Sequence, residues 1–305
     1  MSKIDQLIRS INVFVQKAES DEVEELESVV SDFPELKDVP SLVEEYEKTT
    51  AKLLRLQRRT FLNSLNGFIS KDDSETLESI LAFFQNDLFA ADEFAELFGK
   101  ETAIFLTLTV TQLAEKIMHS IDEDIPFKVL SEKTEQWIES WSQELAQLMQ
   151  LNTHTAIEQT LKEGIKEGRS IQEIELELKD LPEFSRKRAR VTAITEVLTA
   201  SSVALHESYV QSPAVTGKKC KHSGGKKNQS RESHVQLDGT VIPLDEEFEI
   251  PGSGERCMFP RDTKLSPKER VNCHCAVGPV VDPVILGLSA EKKEEIRRRV
   301  LQNME

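Results

Sequence analysis

Cysteine is confined to the last third of this 305-residue chain, at Cys220, Cys257, Cys273 and Cys275. The last two frame a histidine in VNCHC, Val271 to Cys275. In an extended stretch residues 273 and 275 point the same way, so both thiols face one place. Such a pair could bind zinc, which takes four N or S ligands at about 2.0–2.3 Å. His234, in RESH, is the distant residue that could join it, with Cys220, His222 or Cys257 to complete the set, since Arg231 cannot ligate. The metal ligands read from sequence are therefore His234, Cys273 and Cys275, for a structural zinc. A Cys-x-Cys with no matching Cys-x-x-Cys equally describes packed thiols, the plainer reading, or a redox pair. Catalysis is a further option, because His234 and Asp238 flank a turn, and His/Asp/Cys sets serve zinc nucleases and cysteine nucleophiles. The stretch HVQLDGT has a simpler account, in which Asp238-Gly239 supplies the turn and His234 a hydrogen bond. No residue is assigned as catalytic, and His234 and Asp238 are read as structural.

The elements that must position these residues divide at about residue 210. Before it the chain reads as helix almost throughout. Ile4, Leu7, Ile8, Ile11, Val15 and Ala18 form one apolar stripe, and a long run follows from Leu42 to Leu65. Asp72, Asp73 and Ser74 look like a helix start. Gly99 looks like a stop, Thr102–Met118 like another apolar helix, and Pro126 like the beginning of the next, with Trp137, Trp141, Leu145 and Leu148 on one face. Gly164 and Gly168 punctuate a connection to a short helix stopped by Pro182. The long helix that follows carries Ala189, Ala193, Ala200 and Ala204. Glu196 lies on its apolar face and must have a hydrogen-bonded or charged partner there. From Gln211 onward glycines and prolines gather and the helical period disappears. VTGKKCKH, TVIPL and EFEIP have the length of short strands, with Gly224-Gly225, Asp238-Gly239 and Pro251-Gly252 as turns. A last amphipathic helix runs from Ser289 to Leu301.

Charge follows the same division. The net charge is −16, yet residues 1–183 hold 18 Lys+Arg against 38 Asp+Glu and residues 184–305 hold 20 against 16. Between Ser185 and Arg231 ten basic residues face only Glu196 and Glu207. That stretch could follow phosphates or pair with an acidic protein, while the acidic half would repel nucleic acid. The candidate DNA or protein contacts are Arg186, Lys187, Arg188, Arg190, Lys218, Lys219, Lys221, Lys226, Lys227 and Arg231. Charges interrupt every apolar run near the N-terminus, so no signal peptide is read, and no segment reaches the ~18 apolar residues of a membrane span. The expectation is a soluble protein made in a cytoplasm, where a disulfide framework is disfavoured.

The ordered series GRS, RARVTAITEVLTA, SRESHVQLDGTVIPLDEEFEIPG, MFPRD and VNCHC resembles the Mu F-like family of phage minor head proteins, also called head morphogenesis proteins. The resemblance covers about residues 155–280. Two positions depart from it: Ile194 stands where the family usually has arginine, and Cys220 where it tends to have tryptophan. The residues themselves read as a mostly α protein with an acidic helical region over 1–154 and a C-terminal helix over 289–305, and the resemblance implies a small α+β Mu F-like domain over 155–288 between them. Within 155–288 it implies helices at 170–210 and a glycine- and proline-rich part at 211–288. It also implies a minor head protein in the capsid interior at the portal vertex, acting in procapsid assembly or DNA delivery. Its implied partners are the portal protein, a scaffolding protein and packaged DNA, with no membrane anchor. The competing class is an enzyme on the same domain, either a metal-dependent nuclease or an ADP-ribosylating toxin. For the toxin, DEEFE supplies a glutamate pair without the accompanying arginine and serine motifs. Phosphate-loop, HExxH and GxSxG patterns are missing from the sequence.

Overall fold

The computed structural model describes residues 34–70, 76–222, 230–271, 273 and 275–302. The stripe Ile4–Ala18, the expected start at Asp72–Ser74, the Gly224-Gly225 turn with Lys226 and Lys227, and His274 lie outside them. The protein is mostly α-helical with a small α+β part, as expected from the sequence. Helix α1 spans Val39–Ile69 and buries Val43, Tyr46, Leu54, Phe61 and Leu65, positions three to eight apart that keep to one face. Helix α2, Leu77–Phe83, starts from Thr76: its side chain accepts the Ser79 N–H, and the Ser79 hydroxyl oxygen accepts the Thr76 N–H at 3.0 Å. Helices α3 (Phe94–Ile121), α4 (Glu132–Glu167), α5 (Ile171–Lys179) and α6 (Arg186–Gln211) follow.

Two boundaries differ from those read in the sequence. Gly99 does not end a helix; it lies inside α3, where a Cβ would sit 3.5 Å from both Ala146 Cβ and the Ser142 carbonyl of α4. Here glycine marks a close approach between helices and not a cap. Pro126 does not begin α4, which starts at Glu132 after an irregular stretch, with the Ser131 hydroxyl accepting the Thr134 N–H at 3.2 Å. Gly168 does close α4, in the left-handed conformation (φ +68°) that glycine adopts without steric cost.

The described chain forms two compact units. One draws on residues up to Val43, Phe105–Ile138 and from Ile194 onward; the other on Glu44–Ile104 and Glu139–Ala193. The second unit is centred on Phe61, Leu65, Ile80, Phe84, Leu161 and Phe184. The first contains all the strands. β1 (Val215–Lys221) lies between β2 (Val241–Pro243) and β5 (Ala276–Val281), antiparallel to both, with Lys218 opposite Ile242 and Lys219 opposite Gly278. β3 (Phe248–Glu249) pairs with β4 (Arg256–Cys257). Four short helices complete the unit: α7 (Glu232–Gln236), α8 (Pro267–Arg270), α9 (Pro283–Leu286) and α10 (Ala290–Gln302). None of the described helices is long and apolar enough to cross a membrane.

Candidate functional site

Three separate segments bring the cysteines together. β1 carries Cys220, β4 ends at Cys257, and the link from α8 to β5 carries Cys273 and Cys275. All four thiols are free and buried. With His234 of α7 they line one small cavity, whose other walls are mainly apolar side chains such as Leu237, Phe248 and Ile250. His234 points Nδ1 at both neighbouring thiols, 3.5 Å from Cys273 Sγ and 3.6 Å from Cys275 Sγ, and Nε2 at Glu269 Oε2, 2.9 Å away. Their ligand atoms all lie within 4.8 Å of one another. From the other side His222 brings Nδ1 to 3.4 Å from Cys275 Sγ, while its Nε2 meets Ser230 Oγ at 2.9 Å. Asp238 fixes that histidine's backbone by accepting its N–H at 2.8 Å.

The protons of this cluster are unevenly held. The hydrogen bond from Cys275, with His234 and Arg261 beside it, pulls the Cys273 thiol well below its ordinary range. The same bond and burial push Cys275 up. Burial works against a charge on His234, yet the bonds to Cys273 and Glu269 outweigh it and raise its pKa. Cys220 and Cys257 are pushed up to about 12 by burial, so they behave as inert thiols at neutral pH. Cys273 is the group poised to become a thiolate.

Arg261 braces the thiol segment. It is buried, in the left-handed region (φ 68°), and its Nη1 donates to the carbonyls of Cys273 (2.6 Å) and Cys275 (2.7 Å) while Nη2 donates to Ser202 Oγ (2.6 Å). Sequence reasoning gave this residue no role, although it stands in MFPRD; nothing local announces a guanidinium aimed at carbonyls 12 and 14 residues further on. Glu196, buried on α6, accepts from Arg270 Nη2 at 2.6 Å.

Of the described basic residues, not all reach solvent. Arg188 is buried and donates to Thr153 Oγ1 and to the carbonyls of Glu183 and Met149, at 2.8–2.9 Å. Lys218 is fully buried, 3.0 Å from the Leu244 carbonyl and over the Phe248 ring. Both side chains are thus turned into the fold. Arg186 and Arg190 both bind Glu47, at 2.7 and 3.0 Å, and Arg231 donates to the Val271 carbonyl at 2.6 Å. Lys219 and Lys221 are exposed and Lys187 is partly so. In DEEFE, Glu247 pairs with Lys264 and exposed Glu249 with Arg256, an ion-paired edge.

Residues 155–278 match the family model described as "Phage Mu protein F like protein". The uncharacterized protein YqbB of Bacillus subtilis is 59% identical over 305 residues, the whole of both chains. An NAD(+)–arginine ADP-ribosyltransferase, EFV, of Enterococcus faecalis is 29% identical over 180 residues, covering 59% of this chain and 33% of that protein. No solved structure matches the chain significantly.

Proposed function

We propose that this chain, which belongs to the phage Mu protein F-like family, is a head morphogenesis protein that binds the portal of a tailed phage during procapsid assembly. The observation that carries the reading is the family match over residues 155–278. Inside that segment the charged groups around the thiols are turned inward, Arg261 onto carbonyls, Arg270 onto Glu196, and Glu269 onto His234. Groups so engaged brace the backbone around the thiols and hold the scaffold rigid for docking. The ADP-ribosyltransferase matches over a third of its own length, and its named activity stays with it. Glu247 and Glu249 of DEEFE are held in ion pairs, which gives the toxin reading no support.

Co-expression with the portal protein of the same phage tests the assignment: the two should co-elute as one species after affinity capture of either. Separate elution of both folded proteins at micromolar concentration would sink portal binding. Contact with packaged DNA is a second part of the proposal, resting on the exposed lysines Lys219 and Lys221. Their binding should be weak, indifferent to sequence and lost with salt, with a log–log slope reduced by about 2 when both are changed to glutamate. Binding that persists at high salt, or is absent at low salt, contradicts this part.

A further inference from the structure

The thiol cluster matches the shape of a metal site. With Zn–S near 2.3 Å and Zn–N near 2.0–2.1 Å, a tetrahedral ion sets its N···S edges at about 3.6 Å. The two edges from His234 Nδ1, to Cys273 and Cys275, are 3.5 and 3.6 Å. The edge from His222 Nδ1 to Cys275 is 3.4 Å. We infer that this protein holds one Zn²⁺ through His234 Nδ1, Cys273 Sγ and Cys275 Sγ, with His222 Nδ1, beside Cys275 but outside that close group, moving in to close the fourth side. The site goes beyond the head-assembly role and does not depend on it.

Three further observations support it. The donors are two sulfurs and two imidazoles, a soft set that suits zinc and disfavours calcium or magnesium, which take oxygens. Each histidine has its other ring nitrogen on an oxygen, Glu269 for His234 and Ser230 for His222, as ligating histidines commonly do. The backbone carrying both sulfurs is fixed by Arg261, so the thiols are held in place before any ion arrives. His234, Cys273 and Cys275 are all buried, which makes the site closed and structural. Its four donors join the end of β1, helix α7 and the approach to β5, tying down a region whose described strands are two to seven residues long.

The full-length chain, purified under reducing conditions without chelator, should contain about one zinc per chain. Replacing zinc with Co²⁺ should give the strong visible absorption of a tetrahedral site and a thiolate charge-transfer band. Cys273→Ser, Cys275→Ser and His234→Ala should each lower metal content several-fold or more. His222→Ala should keep zinc but release it faster to a chromogenic chelator, with a changed cobalt spectrum. If some variants fail to fold, the cobalt spectrum of the unaltered chain decides. Wild-type protein that takes up neither zinc nor cobalt while all four thiols titrate as free overturns the site. A cobalt spectrum unchanged by His222→Ala overturns the fourth ligand.

Discussion

Glu196 and Arg270 illustrate how much rests on single side chains. Both are buried and meet at 2.6 Å, so removing either takes from the other a charge-assisted bond in the interior. Glu196→Ala should lower the unfolding free energy by about 3–5 kcal/mol, whereas replacing both with methionine should recover much of the loss. Urea titration of the two singles and the double closes the cycle. His206 makes a different prediction. Its Nδ1 is sealed from solvent and finds no hydrogen-bond partner among the described residues. Burial, with Lys218 and Lys133 adding repulsion, pushes its pKa down to about 3. Because the folded value lies below the unfolded 6.5, the unfolded chain binds the extra proton between them. Stability should therefore fall as pH drops below about 6.5, by about 1.4 kcal/mol per unit from this group. His206→Leu should flatten the profile between pH 6.5 and 5, above the carboxylate range, and equal slopes for both proteins would refute the assignment. At this scale the sequence was partly legible. Apolar neighbours showed that Glu196 lies on a buried face, but Arg270 is 74 residues away and no spacing rule pairs them. Arg188 looked like part of a solvated cuff because α6 is buried almost all round, which removes the polar face that would have given it away.

Among elements, the long helices were legible because apolar stripes repeat along them, and the short strands because turn residues bracket them. The misplaced boundaries share one cause: glycine and proline punctuate helices for more than one reason. Gly99 serves close packing, and its added Cβ would make only ordinary contacts at 3.5 Å. Gly99→Ala should thus be tolerated and raise stability by about 0.5–1 kcal/mol, the cost of glycine within a helix. Gly217 is the opposite case. A Cβ there would stand 2.9 Å from the Ile242 carbonyl oxygen, a backbone atom of β2 that cannot move without breaking the pair. Gly217→Ala should destabilise the protein, and thermal melts of the two variants should shift in opposite directions. The pairing of β1 with β5 was not legible, since it joins strands separated by the whole cysteine-rich stretch.

For the whole molecule, the segment that matches the family is not self-sufficient. Glu207 accepts from Ser131 and Thr134, Ser208 donates to the Ala114 carbonyl and Gln211 to that of Val129, all groups before residue 155. From the other end, α10 inserts Lys293 between Asp122 and Asp124, and Arg297 onto Gln211 Oε1 at 2.7 Å. Residues 155–278 produced alone should therefore lack a cooperative melt and expose apolar surface to dye, while the full chain shows neither defect. A sharp transition for the isolated segment would refute this. These buried cations of α10 also set a schedule for synthesis. Residues 290–302 leave the ribosome after every other described element, yet Asp122 and Gln211 wait for them. At roughly 5–20 residues per second, those partners stand uncompensated for many seconds on the nascent chain. A polypeptide cut short before α10 lacks the partners of Asp122 and Gln211 and should be cleaved by proteases faster than the full chain.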